Sequence, residues 1–132
     1  MTQFIKSINH LALIIDDIEK GKWYFGEVLN IPYKLWRESE LLMELGDSVL
    51  IAKLSKDAID KERQKGCLQK QAMDHYGFKT DDKENVDSLF KRIEKFGLEI
   101  VRPPYDRSDG RAFYFRDPFG NLVEYFWYES KS

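Results

Sequence analysis

A chain of 132 residues fits one domain and is long enough to bury a core, for which an aromatic content of 14% provides bulk. A net charge of -2, with lysines and acids interspersed, excludes a basic nucleic-acid surface and marks solvated faces. The lone cysteine, Cys67, excludes an internal disulfide and predicts a reducing, cytoplasmic setting; the apolar run His10 to Ile15 is too short for a signal-peptide core or a membrane span.

Ser7 to Ile15 reads as a strand, with Ile8, His10, Ala12 and Ile14 on one face and Asn9, Leu11, Leu13 and Ile15 on the other. Both faces are largely apolar, which predicts cover on both sides. Asp16 or Asp17 is an N-cap for a helix over Ile18 to Leu29, its buried stripe being Trp23, Tyr24, Val28 and Leu29. Gly21 and Gly26 count somewhat against a helix there. Tyr33 to Arg37, Leu41 to Leu45 and Ser48 to Leu54 read as strands, with a turn at Gly46-Asp47. Ser55 to Gln71 is polar and lysine-rich, and reads as a helical connector that is either a linker or a lid. Cys67 falls there and reads as an ordinary thiol.

The second half repeats the order. Asp74 to Thr80 is a strand, and Asp81 or Asp82 starts a helix with Val86, Leu89, Phe90, Ile93 and Phe96 at helical spacing, closed by Gly97. Leu98 to Arg102, Ala112 to Arg116 and Leu122 to Tyr128 are three more strands, with Pro103 to Gly110 an irregular loop. The expectation is one α+β domain of two βαβββ modules. Module one spans about 1–54, a connector about 55–72 and module two about 73–132.

The repeat carries chemistry. His10 and His75 are the only histidines; each is followed six and seven residues later by paired aspartates, Asp16-Asp17 and Asp81-Asp82. Glu124 lies in Leu122-Val123-Glu124-Tyr125-Phe126-Trp127, where a carboxylate is costly unless paired, protonated or bound to metal; the alternative is a Glu facing water from an edge strand. Two imidazoles and one carboxylate make a facial triad with open positions for substrate and water. Such a set suits Fe(II) and also accepts Mn, Zn, Co or Ni. Tyr114 is a candidate proton donor or a core filler, and Glu44 a candidate base or a structural carboxylate. Arg107 and Arg111 either clamp an anionic substrate or face water.

The chain resembles the vicinal oxygen chelate superfamily, which includes glyoxalase I, extradiol dioxygenases and the fosfomycin and bleomycin resistance proteins. The resemblance covers nearly the whole chain. It rests on Ile8-Asn9-His10-Leu11, on Asp74-His75-Tyr76-Gly77-Phe78, and above all on Phe113-Tyr114-Phe115-Arg116-Asp117-Pro118-Phe119-Gly120-Asn121-Leu122-Val123-Glu124. It implies a glyoxalase-like, cup-shaped half-barrel of paired βαβββ modules, often completed by dimerisation. It also implies one divalent metal ion on His10, His75 and Glu124, a small-molecule substrate and a homodimer.

Some departures narrow the field. Setting Gly46 on Gly120 puts Leu50 opposite Glu124, so the fourth carboxylate ligand of glyoxalase I has no counterpart. Extradiol dioxygenases use a further histidine, and none remains here. Fosfomycin thiol transferases resemble the chain in Leu42 to Leu50, in His75-Tyr76 and in Tyr114, ten residues before Glu124. Yet Ala12 stands where that family has a hydroxyl, and the family's late-loop lysine falls near Pro104. The resemblance therefore implies either a metal-dependent enzyme acting on a small oxygenated, anionic molecule, or a metal-free, drug-sequestering protein of the bleomycin-resistance kind.

Overall fold

A computed structural model of the chain describes residues 3–54 and 73–129. The expected connector helix and Cys67 lie outside the described residues. The chain divides into two compact units, Met1–Asp60 and Lys61–Ser132.

The first unit holds β1 (His10–Ile15), α1 (Ile18–Gly21), which runs on as a π-helical stretch (Lys22–Val28), then β2 (Lys34–Trp36), β3 (Glu40–Leu45) and β4 (Ser48–Leu54). Its sheet order is β1-β4-β3-β2, with β1 parallel to β4 and the other neighbours antiparallel. The second unit holds β5 (Tyr76–Thr80), α2 (Glu84–Lys95), β6 (Ile100–Arg107), β7 (Gly110–Arg116) and β8 (Leu122–Tyr128), in the order β5-β8-β7-β6 with the same parallel and antiparallel pattern. The fold is α+β, two βαβββ modules, as the doubled order of motifs predicts.

Local chemistry explains the elements. Asp17 caps α1 by accepting from the Lys20 backbone N–H at 2.9 Å, and Asp82 Oδ1 accepts from the Glu84 N–H at 3.0 Å. Gly97, at φ +78, closes α2 as expected. The helix forms despite its two glycines, which sit where a side chain would not fit. A Cβ on Gly21 would lie 2.8 Å from Ile15 Cδ1, and one on Gly26 would lie 2.6 Å from the Tyr33 ring. Their small size lets the helix sit directly on β1 and on the chain that follows it. The buried stripe is Gly21, Tyr24, Phe25 and Val28, so Phe25 joins it while Trp23 and Leu29 are only half-buried. The widened π turn shifts which residues share the inner face.

Two expectations need correction. The first strand begins at His10 rather than Ser7, and it is covered on one face only. Leu13 and Ile15 are buried, whereas His10, Ala12 and Ile14 are exposed. An apolar alternation on both faces therefore did not mean burial on both. Most of Pro103 to Gly110 is strand rather than loop, since β6 runs through Pro103 and Pro104 to Arg107. Proline lacks a backbone donor, which an edge strand tolerates, and β6 is the edge. Its pairing with β7 is interrupted by register shifts on either side of Arg102.

Candidate metal centre

The site builds from β5 and β8. They run parallel with Gly77 opposite Glu124. A Cβ at Gly77 would stand 3.3 Å from the Glu124 carbonyl oxygen and 3.7 Å from its Cβ, so glycine gives the carboxylate room. Glu124 is 9% exposed and sits on an inner strand, which disposes of a water-facing edge glutamate. Its two oxygens have different partners. Oε1 lies 3.1 Å from His75 Nε2, and Oε2 accepts from Arg107 Nη1 at 2.7 Å.

His75 stands just before β5 with both ring nitrogens facing carboxylates, Nδ1 lying 2.7 Å from Asp74 Oδ2. The Asp74 hydrogen bond is the largest of the influences that raise its pKa; Glu124 adds to it and partial burial opposes it. Arg107 is held in turn by Asp109, Nε to Oδ1 at 3.0 Å. Burial is the largest single influence on the Arg107 pKa and lowers it, but the charges of Asp109, Glu124 and the neighbouring tyrosines together outweigh it and raise it.

Tyr114 lies directly across from Glu124 on β7, its ring 5.9 Å from that of His75. Burial first, and the Glu124 charge second, push its phenol up to about 12. Tyr105 stacks on it at 6.5 Å, and the Arg102 guanidinium covers Tyr105 at 3.4 Å.

The motif Asp117-Pro118-Phe119-Gly120-Asn121 sets the register of this pair. The buried Asp117 carboxylate accepts from the backbone N–H groups of Phe119 and Asn121, from the Asn121 amide and from the Tyr76 hydroxyl, all within 2.9 Å. Tyr76 follows His75 and Leu122 opens β8, so one carboxylate ties together the strands beside His75 and Glu124.

His10 belongs to the first unit. It opens β1, exposed, with Nδ1 donating to Asn9 Oδ1 at 3.0 Å. Each histidine thus has Nδ1 hydrogen-bonded to the side chain of the preceding residue, Asn9 or Asp74, which fixes the ring and leaves Nε2 as the nitrogen able to meet a metal. That doubled Asx-His pair is a signal in the sequence whose meaning only the geometry reveals. Glu44 pairs with Val49, which pairs with His10, so Glu44 is an exposed carboxylate on the His10 face of the first sheet. Among the described residues no three His, Cys, Asp or Glu side chains form a ready ligand cluster.

The counterpart of Glu124 is Ile51, not Leu50. Ala12 pairs with Ile51 as Gly77 pairs with Glu124, each two residues beyond its histidine. Leu50 is buried on the opposite face. Aligning the two glycines was off by one, and an offset of one in a strand inverts the face. Arg111 is no anion clamp. It holds both oxygens of Asp87 on α2, at 2.8 and 2.9 Å, and Asp106 at 2.9 Å.

Residues 7–125 match the Glyoxalase/Bleomycin resistance protein/Dioxygenase superfamily. The chain belongs to this superfamily. It is 31% identical to the glutathione transferase FosA of Serratia marcescens, over 91% of this chain and 79% of that one. It is 24% identical to the manganese-dependent 2,3-dihydroxybiphenyl 1,2-dioxygenase of Geobacillus genomosp. 3, over 96% of this chain but only 38% of that longer protein. The crystal structure of the fosfomycin resistance protein FosX of Listeria monocytogenes shares the superfamily fold, with a TM-score of 0.71 at 22% identity and coverage of 96% of both chains. Among the described residues no helix is long and apolar enough to cross a membrane.

Proposed function

We propose that this superfamily member is a divalent-metal-dependent enzyme acting on a small oxygenated, anionic molecule, with His75, Glu124 and His10 as metal ligands. One observation carries the reading: His75 Nε2 and Glu124 Oε1 lie 3.1 Å apart on adjoining strands. Two ligands each about 2.1 Å from an ion, and at right angles, stand about 3.0 Å apart. The donor set fits, with neutral imidazole and carboxylate suited to Mn, Fe, Co, Ni or Zn. Asp74 fixes the His75 ring from behind, as metal-bound histidines require. His10 has the same presentation through Asn9 and is the natural third ligand.

When bound, a divalent ion would supply Lewis acidity toward a substrate oxygen. The chain supplies the rest. Tyr114 keeps its proton at neutral pH, since its phenol is pushed up to about 12, and so can donate a hydrogen bond or a proton to a developing oxyanion. Arg102 and Tyr105 extend the wall beside it. Glu44 lies on the His10 face as a second acid-base candidate. The chain spans 79% of the glutathione transferase but 38% of the dioxygenase, which favours transferase-like over ring-cleaving chemistry. Ala12 and Pro104 argue that fosfomycin itself is not the substrate.

A homodimer in the cytoplasm is part of the proposal, with the aromatic end of β8, Tyr125 to Tyr128, as the candidate contact. Light scattering tests it, and a monomer that still binds metal would refute a shared site.

The second reading, a metal-free sequestering protein, has one observation in its favour. Both Glu124 oxygens already have protein partners. Metal analysis of protein purified without chelator separates the two. We expect stoichiometric metal in the wild type and its loss in His75→Ala. Equal metal in both would remove His75 from the ligand set, and no metal in the wild type would favour the sequestering protein.

A further inference from the structure

We propose that Arg107 is the positioning residue for the Glu124 carboxylate, holding Oε2 so that Oε1 alone is presented beside His75. The inference rests on the metal-enzyme reading above.

A carboxylate can offer a metal one oxygen or two, and a free glutamate side chain rotates between these modes. Glu124 is not free. Arg107 Nη1 takes Oε2 at 2.7 Å while Oε1 faces His75 Nε2 at 3.1 Å. The short charge-assisted bond is the stronger kind. Only a fork can make the arrangement, because the same guanidinium reaches Asp109 through Nε at 3.0 Å and through Nη2 at 3.4 Å. A lysine has one nitrogen and cannot span both carboxylates in fixed geometry.

The arm is itself anchored. Arg107 ends β6, and Asp109 lies in the Ser108-Asp109 turn. The Glu129 backbone N–H donates to the Asp109 carbonyl at 2.8 Å, which ties the turn to the residue just after β8. Gly110 opens β7 so close to that strand that a Cβ there would meet the Trp127 carbonyl oxygen. Asp109 also offsets the Arg107 charge, so the guanidinium orients Glu124 without adding a bare cation beside a metal. The chain thus fixes its carboxylate ligand from the far hairpin, as it fixes its histidine from Asp74.

The test is Co(II) titration of wild type, Arg107→Lys and Asp109→Asn, read by calorimetry and by visible absorption, with folding checked by circular dichroism. Arg107→Lys keeps the charge and loses the fork. We expect Co(II) affinity to fall about 10–100-fold, with weaker visible bands as Oε2 joins Oε1 and coordination expands. Asp109→Asn, which leaves Arg107 in place but loosens its hold, should move both readouts the same way by less, and carries the test alone if Arg107→Lys does not fold. Wild-type affinity and spectrum in the folded variants would overturn the positioning role alone. A wild type that takes up no Co(II) would overturn the metal reading and this inference with it.

Discussion

The two halves have the same element order and the same strand pairing, yet they present different chemistry. In the first, Ala12 pairs with Ile51 and Ile51 with Leu42; in the second, Gly77 pairs with Glu124 and Glu124 with Tyr114. Three apolar residues in one half thus stand where the other has a glycine, a carboxylate and a phenol. The β3–β4 turn is Gly46-Asp47 alone, whereas the β7–β8 connection is the five-residue Asp117-anchored motif. The last difference is in β2 and β6. β2 has three residues, all exposed, while β6 has eight and ends on Arg107. The backbone repeat conserves faces and registers, and side-chain changes at a few register positions decide which half holds the His75–Glu124 pair.

The strongest way to break this asymmetry is Glu124→Ile, which gives the second half the side chain of the first. Metal affinity should fall by about a thousandfold, or about 4 kcal/mol. Isothermal titration of wild type and variant with Mn(II) checks it. Retained binding would mean that Glu124 is not a ligand.

A paired substitution sharpens the register. Leu50→Glu buries a carboxylate against the helix-facing side of β4, and should cost about 3–5 kcal/mol of stability. Ile51→Glu is half-buried on the His10 face and should cost about 1 kcal/mol. Urea unfolding of both distinguishes them. If Leu50→Glu proves the milder change, the pairing of β1 with β4 is wrong.

The Asp117 anchor belongs to the second half alone. Asp117→Ala leaves two backbone N–H groups, the Asn121 amide and the Tyr76 hydroxyl without their acceptor. The expected loss is about 2–3 kcal/mol. Metal affinity should fall as well, because Tyr76 and Leu122 set the relative positions of His75 and Glu124. Asn121→Ala, which removes one donor and leaves the carboxylate with its others, should cost less. Equal losses in denaturant unfolding would contradict the anchor.

Much of this was legible in the residues. Alternation and helical spacing located most elements, because each strand or helix has a definite period and each turn a glycine or an Asx cap. The proposed ligands His75 and Glu124 stood out because a carboxylate among aromatics and a histidine at matching points of a repeat are both costly placements. What escaped depends on distant partners. Arg107 meets Glu124 across the sheet, and nothing near it in sequence marks that contact. Pro103 and Pro104 looked like breakers because an edge strand is a tertiary property. The turn after β2 uses Arg37 at φ +55 and Glu38 at φ +60, a backbone that neither residue advertises. The glycine alignment misplaced Leu50 because the two connections differ in length.

The smallest effect tests whether the second half also has the firmer helix brace. Arg111 grips both oxygens of Asp87 on α2, and that hydrogen bonding holds the Asp87 carboxyl below its usual range despite partial burial. A depressed carboxylate pKa stabilises the fold above the unfolded-state value and loses that contribution as pH falls through the folded-state value. Arg111 stays charged throughout, and the comparison with Asp87→Asn isolates the Asp87 carboxyl from that of Asp106 on the same guanidinium. Asp87 is 47% exposed at its side chain, so solvent and salt screen the pair and the gain is modest. Wild type should melt above Asp87→Asn near neutral pH, with the gap closing in acid and narrowing in strong salt. A gap that stays constant from neutral pH into acid would show that the Asp87 charge contributes nothing and that the brace is neutral hydrogen bonding alone.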